Sequence, residues 1–372
     1  MSEVPGSALA GQGRLMSLDA LRGFDMFWIA GGEGILNGLA KGLRSEWFNR
    51  HVLAQTRHVT WEGFAAWDLI MPLFLFLVGV AMPFSLARRI ERGDTKARIH
   101  RHVLVRVAIL WVLGMIAQGG LLEYDLSRLH LYSNTLQAIA AGYLISAVLL
   151  VHLRPWAQVA ATAGLLLAYW GLLMWVPVPG HGAGQLTEQG NLAIYLDKLI
   201  LGPYQDGTTY TWILSSMTFA STVMMGAFAG QLLRSGIRDR NKVLILAGAG
   251  LACVLAGWAW AQVFPVIKHI WTSSMVLYAG GWSLLLLAVF YLLIDVWGLR
   301  RLGQTFAVLG ANAILTYMAV HLFDFKTLSD PFVEGLARWT GPWQDLIRAM
   351  AGVAVMWLIL LFLYRRRILI KI

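Results

Sequence analysis

The stretch AAWDLIMPLFLFLVGVAMPFSLA, residues 65–87, carries a single ionisable side chain, Asp68, in a run long enough to cross a bilayer. A hydrocarbon core about 30 Å thick needs roughly 20 helical residues. Nine further segments read the same way, near 18–40, 102–120, 131–152, 156–176, 212–233, 242–263, 272–296, 304–323 and 345–364. Backbone polar groups find no water in lipid, so each segment is expected as a helix. The predicted fold is all-α: a polytopic membrane helix bundle with about ten transmembrane helices. It is expected as one domain over residues 1–372, with an external loop near 177–211 that carries Pro177, Pro179, Gly180, Gly182 and Gly184.

Composition agrees. Hydrophobic residues make up 58% of the 372 and charged residues only 13%, against about 25% charged in soluble domains. The 17 Trp suit the headgroup boundary, where one edge of the ring is wet and the other dry. The formal charge of +10 does not point to nucleic acid, because the basic residues sit in short loops between apolar runs. A single cysteine, Cys253, lies inside an apolar run. It permits neither an internal disulfide nor a thiolate metal cluster, and a buried thiol behaves as a small hydrophobe.

Lys and Arg in short loops set orientation. They gather after the second segment (Arg88, Arg89, Arg92, Lys96, Arg98, Arg101), after the sixth (Arg234, Arg238, Arg240, Lys242), after the eighth (Arg300, Arg301) and after the tenth (Arg365, Arg366, Arg367, Lys371). These loops, with both termini, are expected in the cytoplasm. The segment from Met1 to Gly13 does not read as a cleavable signal, and the first helix is expected to stay as an anchor. The basic loop 41–64 fits this topology less well, either through a topology error or because its charge serves function.

Ionisable residues inside membrane helices are costly and each needs a partner or a purpose. Asp19, Arg22 and Asp25 are spaced by three and so neighbour one another along one helix face. The plain reading is a buried ion trio; the sharper one is that Arg22 has capacity left to hold an anion. Glu33 lies eleven residues beyond Arg22, close to three whole turns, on the same face roughly 16 Å away. Gly31, Gly32 and Gly34 around it either admit a close neighbour or break the helix end. Asp68 precedes Pro72 by four residues, where the proline ring crowds a carbonyl. A bend is expected beside this carboxylate, which could orient a histidine, bind substrate, or bond a neighbouring helix. His58, just before the second helix, suits proton transfer near neutral pH, although a loop histidine is commonly just solvated. Gly226 and Gly230 form a small-xxx-small pair that permits close helix packing. Walker, metal-triad and GxSxG patterns do not occur in the sequence.

Several stretches in order resemble one family. They are Arg14-Leu-Met-Ser-Leu-Asp19-Ala-Leu-Arg22-Gly23, His58-Val-Thr-Trp61-Glu-Gly63 with Asp68-Leu69, Arg106, Leu136-Gln137, Gly226 and Gly230. Lys268-His269-Ile270-Trp271-Thr272-Ser273, Asp295, and Gly310-Ala-Asn312-Ala-Ile-Leu-Thr-Tyr317 leading to His321 complete the series. Over nearly the whole chain this is similar to the membrane region of heparan-α-glucosaminide N-acetyltransferase and its bacterial relatives, a transmembrane acyltransferase family. The resemblance implies transfer of an acetyl group from cytosolic acetyl-CoA to an amino sugar or glycan on the far side of the membrane, with His58 at the position of the family's catalytic histidine. Glu33 falls where the lysosomal enzyme has a functionally important asparagine, so the acceptor or the proton path is open to difference here.

The resulting assignment has His58 as general base, with Glu33 or Asp68 orienting it. Arg22, Arg106 and Arg301 are counter-charges for the phosphates of acetyl-CoA, and Asn312 and Ser274 line the cofactor site. Trp61, Asp25 and Lys268 face the acceptor. No metal is expected. The expected partners are a small-molecule or glycan acceptor and membrane lipid, and family analogy allows a homodimer that leaves no signature in the residues. A bacterial inner (cytoplasmic) membrane is the expected location, for want of a eukaryotic targeting region. A small-molecule transporter or permease with a polar tunnel is the alternative function, although the internal repeats common in transporters are not found.

Overall fold

The structure, a computed structural model, describes residues 15–368; the N-terminus through Arg14 and the C-terminal residues, Lys371 among them, lie outside the described residues. The chain runs through α1 (Met16–Phe27), α2 (Glu33–Leu43), α3 (Glu46–His51), α4 (Ile70–Glu91), α5 (Lys96–Ala117), α6 (Thr135–His152), α7 (Pro155–Trp175) and α8 (Leu192–Leu201). It continues through α9 (Ser216–Arg234), α10 (Asp239–Trp260), α11 (Ser273–Phe290), α12 (Arg300–Gly310), α13 (Ala313–Leu322), α14 (Phe325–Trp339) and α15 (Gln344–Arg365). Local chemistry starts many of them. The side chains of Thr95, Asn134, Asn191 and Asp324 accept backbone N–H groups at the first turns of α5, α6, α8 and α14, and Pro155 opens α7, where a missing N–H costs nothing.

The polytopic helical bundle is as expected, and the chain is an integral membrane protein, but fewer than ten helices have the length and apolar composition that a crossing asks for. Among the described residues seven helices are long and apolar enough to cross a membrane. The pair α12–α13, bent by 65°, would make an eighth. Each of the other two expected segments does contain a helix. The first carries Asp19, Arg22, Asp25 and Glu33 and is interrupted. The second, α9, is built largely of Ser, Thr, Gly and Met, and its buried residues run along almost its whole length. It is therefore walled by protein rather than lipid.

The chain divides into two compact units. One comprises residues 50–237 and 247–284. Its centre is the crossing of α4 and α9. A Cβ at Gly79 would lie 1.9 Å from the Val223 carbonyl oxygen, and one at Gly226 would lie 1.9 Å from that of Phe76. Only glycine allows the two backbones this close, and Gly230 repeats the pattern against Val80. This is the packing role expected of the Gly226/Gly230 pair. The 177–211 segment is not a bare loop: it contains α8, and its Val178 and Leu192 join Tyr169, Leu173, Phe264, Ile267 and Ile270 in one apolar cluster. Asp197 on α8 accepts the backbone N–H groups of Trp212 (2.7 Å) and Ile213 (3.0 Å), which fixes the approach to α9.

The other unit comprises residues 1–49, 238–246 and 285–371, as far as they are described. Here α1 packs on α12 through Gly23 and Gly310, which face each other's helix at backbone distance. Between α1 and α2 the chain makes a π-helical turn, Trp28–Gly32, in which Gly31 adopts φ 145°. That turn overturns the expectation that Arg22 and Glu33 share a face, because the three-turn spacing assumed an unbroken α-helix. Further along, α2 is tied to α15 by the Lys41–Asp345 ion pair, and α14 to α15 by Arg348 and Asp330.

A second correction concerns Pro72. The four residues Ala66–Leu69 form a 3₁₀ turn and α4 begins at Ile70. Pro72 therefore sits in the first turn, where its missing N–H breaks no helical bond. It does not bend a helix beside Asp68. Asp68 instead belongs to the turn that leads into α4.

Candidate active site

The chain between α3 and α4 makes a tight path that ends in the 3₁₀ turn Ala66–Leu69. Asp68 is what holds this path. Its Oδ2 accepts the backbone N–H of Ala65 at 3.0 Å and that of Val59 at 3.4 Å. Its Oδ1 accepts His58 Nδ1–H at 2.7 Å. The same oxygen accepts a hydrogen bond from Lys268 Nζ at 3.3 Å, and that nitrogen also lies 3.2 Å from His58 Nδ1.

Lys268 comes from the connection between α10 and α11, 200 residues beyond Asp68 in sequence. It is delivered by a short antiparallel pairing: Glu62 and Ile267 form an isolated β-bridge, and Gly63 donates to the Val266 carbonyl at 2.9 Å. The turn behind Lys268 is locked by Thr272, whose hydroxyl donates to the Pro265 carbonyl at 2.9 Å and accepts from Ile267 N at 3.1 Å. Ser274 donates to the same carbonyl at 3.1 Å.

Burial sorts the three groups. The side chains of Asp68 and Lys268 are 2% and 7% exposed, that of His58 45%. With Nδ1–H bonded to a fixed carboxylate, the remaining imidazole nitrogen, Nε2, carries the lone pair. A histidine so held can take a proton from an incoming group and give it back, while the carboxylate stabilises the imidazolium that forms between. Burial pulls the Lys268 ammonium down to about 8, against the opposing pull of the carboxylate.

Aromatic rings extend the site. His269 stacks on Tyr210 with centroids 4.1 Å apart and meets Trp61 edge-on at 5.4 Å. Thr209 Oγ1 bonds His269 Nδ1 at 2.5 Å. Burial, then the charges of Lys268 and His58, pull the His269 imidazole down to about 4, so it is neutral at pH 7. Trp61 is held by its own N–H, which donates to the Leu186 carbonyl at 2.8 Å and ties the 177–211 segment to the site. Sequence reading did not single out His269, Tyr210 or Thr209. His269 stood in the recognised Lys268–Ser273 stretch, whereas nothing in the residues around Tyr210 marked it.

Of the residues picked from the sequence, the structure brings His58, Asp68 and Lys268 together, with Trp61 beside His269 and Ser274 at the foot of the Lys268 turn. Arg106, on α5 in the same unit, lies over the Tyr143 ring at 4.5 Å, and its Nε is buried without a hydrogen-bond partner among the described residues. The remaining five fall in the other unit. Arg22 pairs with Asp19 at 3.7 Å. Asp25 is fully buried, and neither carboxylate oxygen has a partner among the described residues. Glu33 is exposed and accepts a 3.5 Å contact from Asn37. Arg301 is exposed in the first turn of α12. Asn312 is buried at the break between α12 and α13 and donates to the Ile368 carbonyl at 3.2 Å.

No family model matches the chain. Among curated proteins, the human heparan-alpha-glucosaminide N-acetyltransferase is 26% identical over 379 residues, covering 85% of this chain and 56% of its own length. The mouse protein of the same name is 24% identical over 376 residues, with the same coverage. The chain thus spans about half the length of the curated relatives it matches.

Proposed function

We propose that this distant relative of the heparan-alpha-glucosaminide N-acetyltransferases is a transmembrane acetyltransferase in which His58 is the general base. The observation that carries this reading is the His58–Asp68 pair. A half-exposed imidazole is fixed by a buried carboxylate at 2.7 Å, with Nε2 left for chemistry.

Acetyl-CoA supplies the acyl group as a thioester. The acceptor is an amino sugar or a related amine or hydroxyl compound. His58 Nε2 takes the acceptor's proton as its nitrogen or oxygen bonds to the acetyl carbon. The carbon–sulfur bond then breaks, and the same nitrogen returns the proton to the departing thiolate. Asp68 holds the imidazole in the required tautomer throughout and balances the imidazolium charge. Direct transfer is favoured over an acetyl-enzyme because Cys253, the lone cysteine, sits midway along the candidate membrane helix α10, and an acetyl-histidine has no independent support.

The phosphates of coenzyme A need cations. Arg106 fits best among the candidates, since its Nε is buried yet unpartnered among the described residues; Arg22 and Arg301 are the further candidates. Ser274 and Asn312 already spend donors on the Pro265 and Ile368 carbonyls, so any part they take in holding the donor is secondary. Asp25 remains a candidate for the acceptor side, and Glu33 a candidate beside Asp68 for the proton path. Trp61, Tyr210 and the neutral His269 offer flat faces of the kind on which a pyranose ring packs. A bacterial inner membrane with both termini in the cytoplasm is the location proposed, and the Lys and Arg gathered in short loops support that orientation.

The test is release of coenzyme A by purified protein given acetyl-CoA and glucosamine, wild type beside His58→Ala. Acceptor-dependent release that the variant loses by at least 10²-fold, with acetyl-CoA binding intact, supports the reading. Equal release by the two proteins contradicts it.

A further inference from the structure

We infer that Lys268 is a positioning residue for His58, whose ammonium shares Asp68 Oδ1 with the imidazole N–H and keeps the pair in its working form only while it is protonated. This rests on the acetyltransferase reading and adds to it a determinant of the proton inventory. Sequence reading placed Lys268 among acceptor-binding residues. The structure turns its nitrogen inward instead, where it is 7% exposed and lies 3.3 Å from Asp68 Oδ1 and 3.2 Å from His58 Nδ1.

Two donors converge on one oxygen. While Lys268 is an ammonium it has no lone pair, so it cannot accept from His58 Nδ1–H, and both groups must point at the carboxylate. The cluster is then one anion, one cation and one neutral imidazole. If Lys268 gives up its proton, its lone pair lies 3.2 Å from Nδ1 and competes with Asp68 for the imidazole proton. At the same time the buried carboxylate loses a counter-charge. The imidazole is then free to turn, and the geometry that leaves Nε2 toward the acceptor is no longer enforced.

The surroundings hold few other charges that could do this. From the 58–69 stretch, Asp68 and His58 face Lys268. From its own segment comes the neutral His269, and from the 205–213 stretch comes Tyr210, which is stacked on His269. Glu62 pairs with Ile267 through its backbone, and its side chain is exposed. Burial lowers Lys268 to about 8, inside the range over which an assay can be run. The sign follows: protonated below that pH the residue supports turnover, and deprotonated above it the support is withdrawn.

The experiment compares pH profiles of kcat, with the acceptor KM, for wild type, Lys268→Arg and Lys268→Met, each checked for folding by thermal unfolding and acetyl-CoA binding. Wild-type kcat should fall above about pH 8, approaching tenfold per pH unit, after correction for ionisation of the acceptor amine. Lys268→Arg, charged at every accessible pH, should lose that alkaline fall. Lys268→Met should lower kcat on the order of 10- to 100-fold, with acceptor KM changed by less than about threefold and no fall near pH 8. A wild-type profile flat to pH 9.5, an alkaline fall unchanged in Lys268→Arg, or a Lys268→Met effect confined to acceptor KM would each overturn the inference. If Lys268→Met fails to fold, the wild-type and Lys268→Arg profiles decide alone. A wild type that transfers no acetyl group overturns the underlying acetyltransferase reading, whereas transfer with an unmoved profile overturns only the role of Lys268.

Discussion

Replacing Asp68 by asparagine changes a single atom type, and the structure says what that atom does. The carboxylate accepts four hydrogen bonds, two on each oxygen. The amide has one oxygen to offer. Ala65 N–H and Val59 N–H are backbone donors that cannot move without unwinding the turn into α4, at 3.0 and 3.4 Å. They claim the amide oxygen. The amide NH₂ is then turned toward His58 Nδ1 and Lys268 Nζ, formerly 2.7 and 3.3 Å from a carboxylate oxygen. His58 can satisfy that NH₂ only by accepting at Nδ1, which moves its proton to Nε2, the atom needed as base. A wrong tautomer of this kind costs about 10³- to 10⁴-fold in kcat, or about 4–5.5 kcal/mol of barrier. Lys268 meanwhile loses its carboxylate, and breaking a buried pair costs about 3–5 kcal/mol of stability. The double variant Asp68→Asn/Lys268→Met separates these effects: it should recover much of the lost thermal stability and none of the kcat. The assay is coenzyme A release with glucosamine as acceptor, alongside thermal unfolding in detergent. An Asp68→Asn protein that keeps kcat within about threefold of wild type would refute the reasoning, because the tautomer would then not be set by this carboxylate.

Two further outcomes follow from the framework around the site. Gly226→Ala places a Cβ 1.9 Å from the Phe76 carbonyl oxygen, so α4 and α9 must separate, at a cost of about 1–3 kcal/mol; thermal unfolding should show a clear loss, while Gly164→Ala on α7, whose Cβ would meet nothing within 4 Å, should not. Trp61→Phe keeps an aromatic face beside His269 but loses the bond to the Leu186 carbonyl, about 1 kcal/mol; hydrogen exchange should rise in the 177–211 segment, and an unchanged exchange pattern would show that the tie is immaterial.

The helical segments were legible because lipid imposes a length and an apolar composition that few other environments demand. The span count was not, since α9 carries small and polar residues such as Ser216, Thr218, Ser221, Thr222, Gly226 and Gly230 that make it less apolar than a lipid-facing span, and the first segment is broken at Gly31. Nothing in the residues distinguishes a glycine that ends a helix from one that carries a π-helical turn with φ 145°. Within the site, His58 and Asp68 were legible, with Asp68 or Glu33 as the group orienting the imidazole, but the local structure was not, because the prediction put Asp68 inside a bent helix. The structure places it in a 3₁₀ turn, held by the backbone N–H groups of Ala65 and Val59 that precede the turn. Lys268 was legible only as part of a recognised stretch. Its role depends on a two-residue backbone pairing between Glu62 and Ile267, a long-range contact with no local signal. His269, Tyr210 and Thr209 belong to the same class, since His269 meets Tyr210 by stacking and Thr209 by a hydrogen bond across separate loops.

The central claim is that this chain moves an acetyl group to an acceptor using His58, and the most direct test keeps donor and acceptor apart. Protein in sealed vesicles is given radiolabelled acetyl-CoA on one side only, with glucosamine enclosed on the other. The account predicts labelled N-acetylglucosamine accumulating inside wild-type vesicles and absent from His58→Ala vesicles that bind acetyl-CoA equally well. Vesicles that pass glucosamine unmodified without consuming the thioester, or a His58→Ala protein as active as wild type, would contradict it.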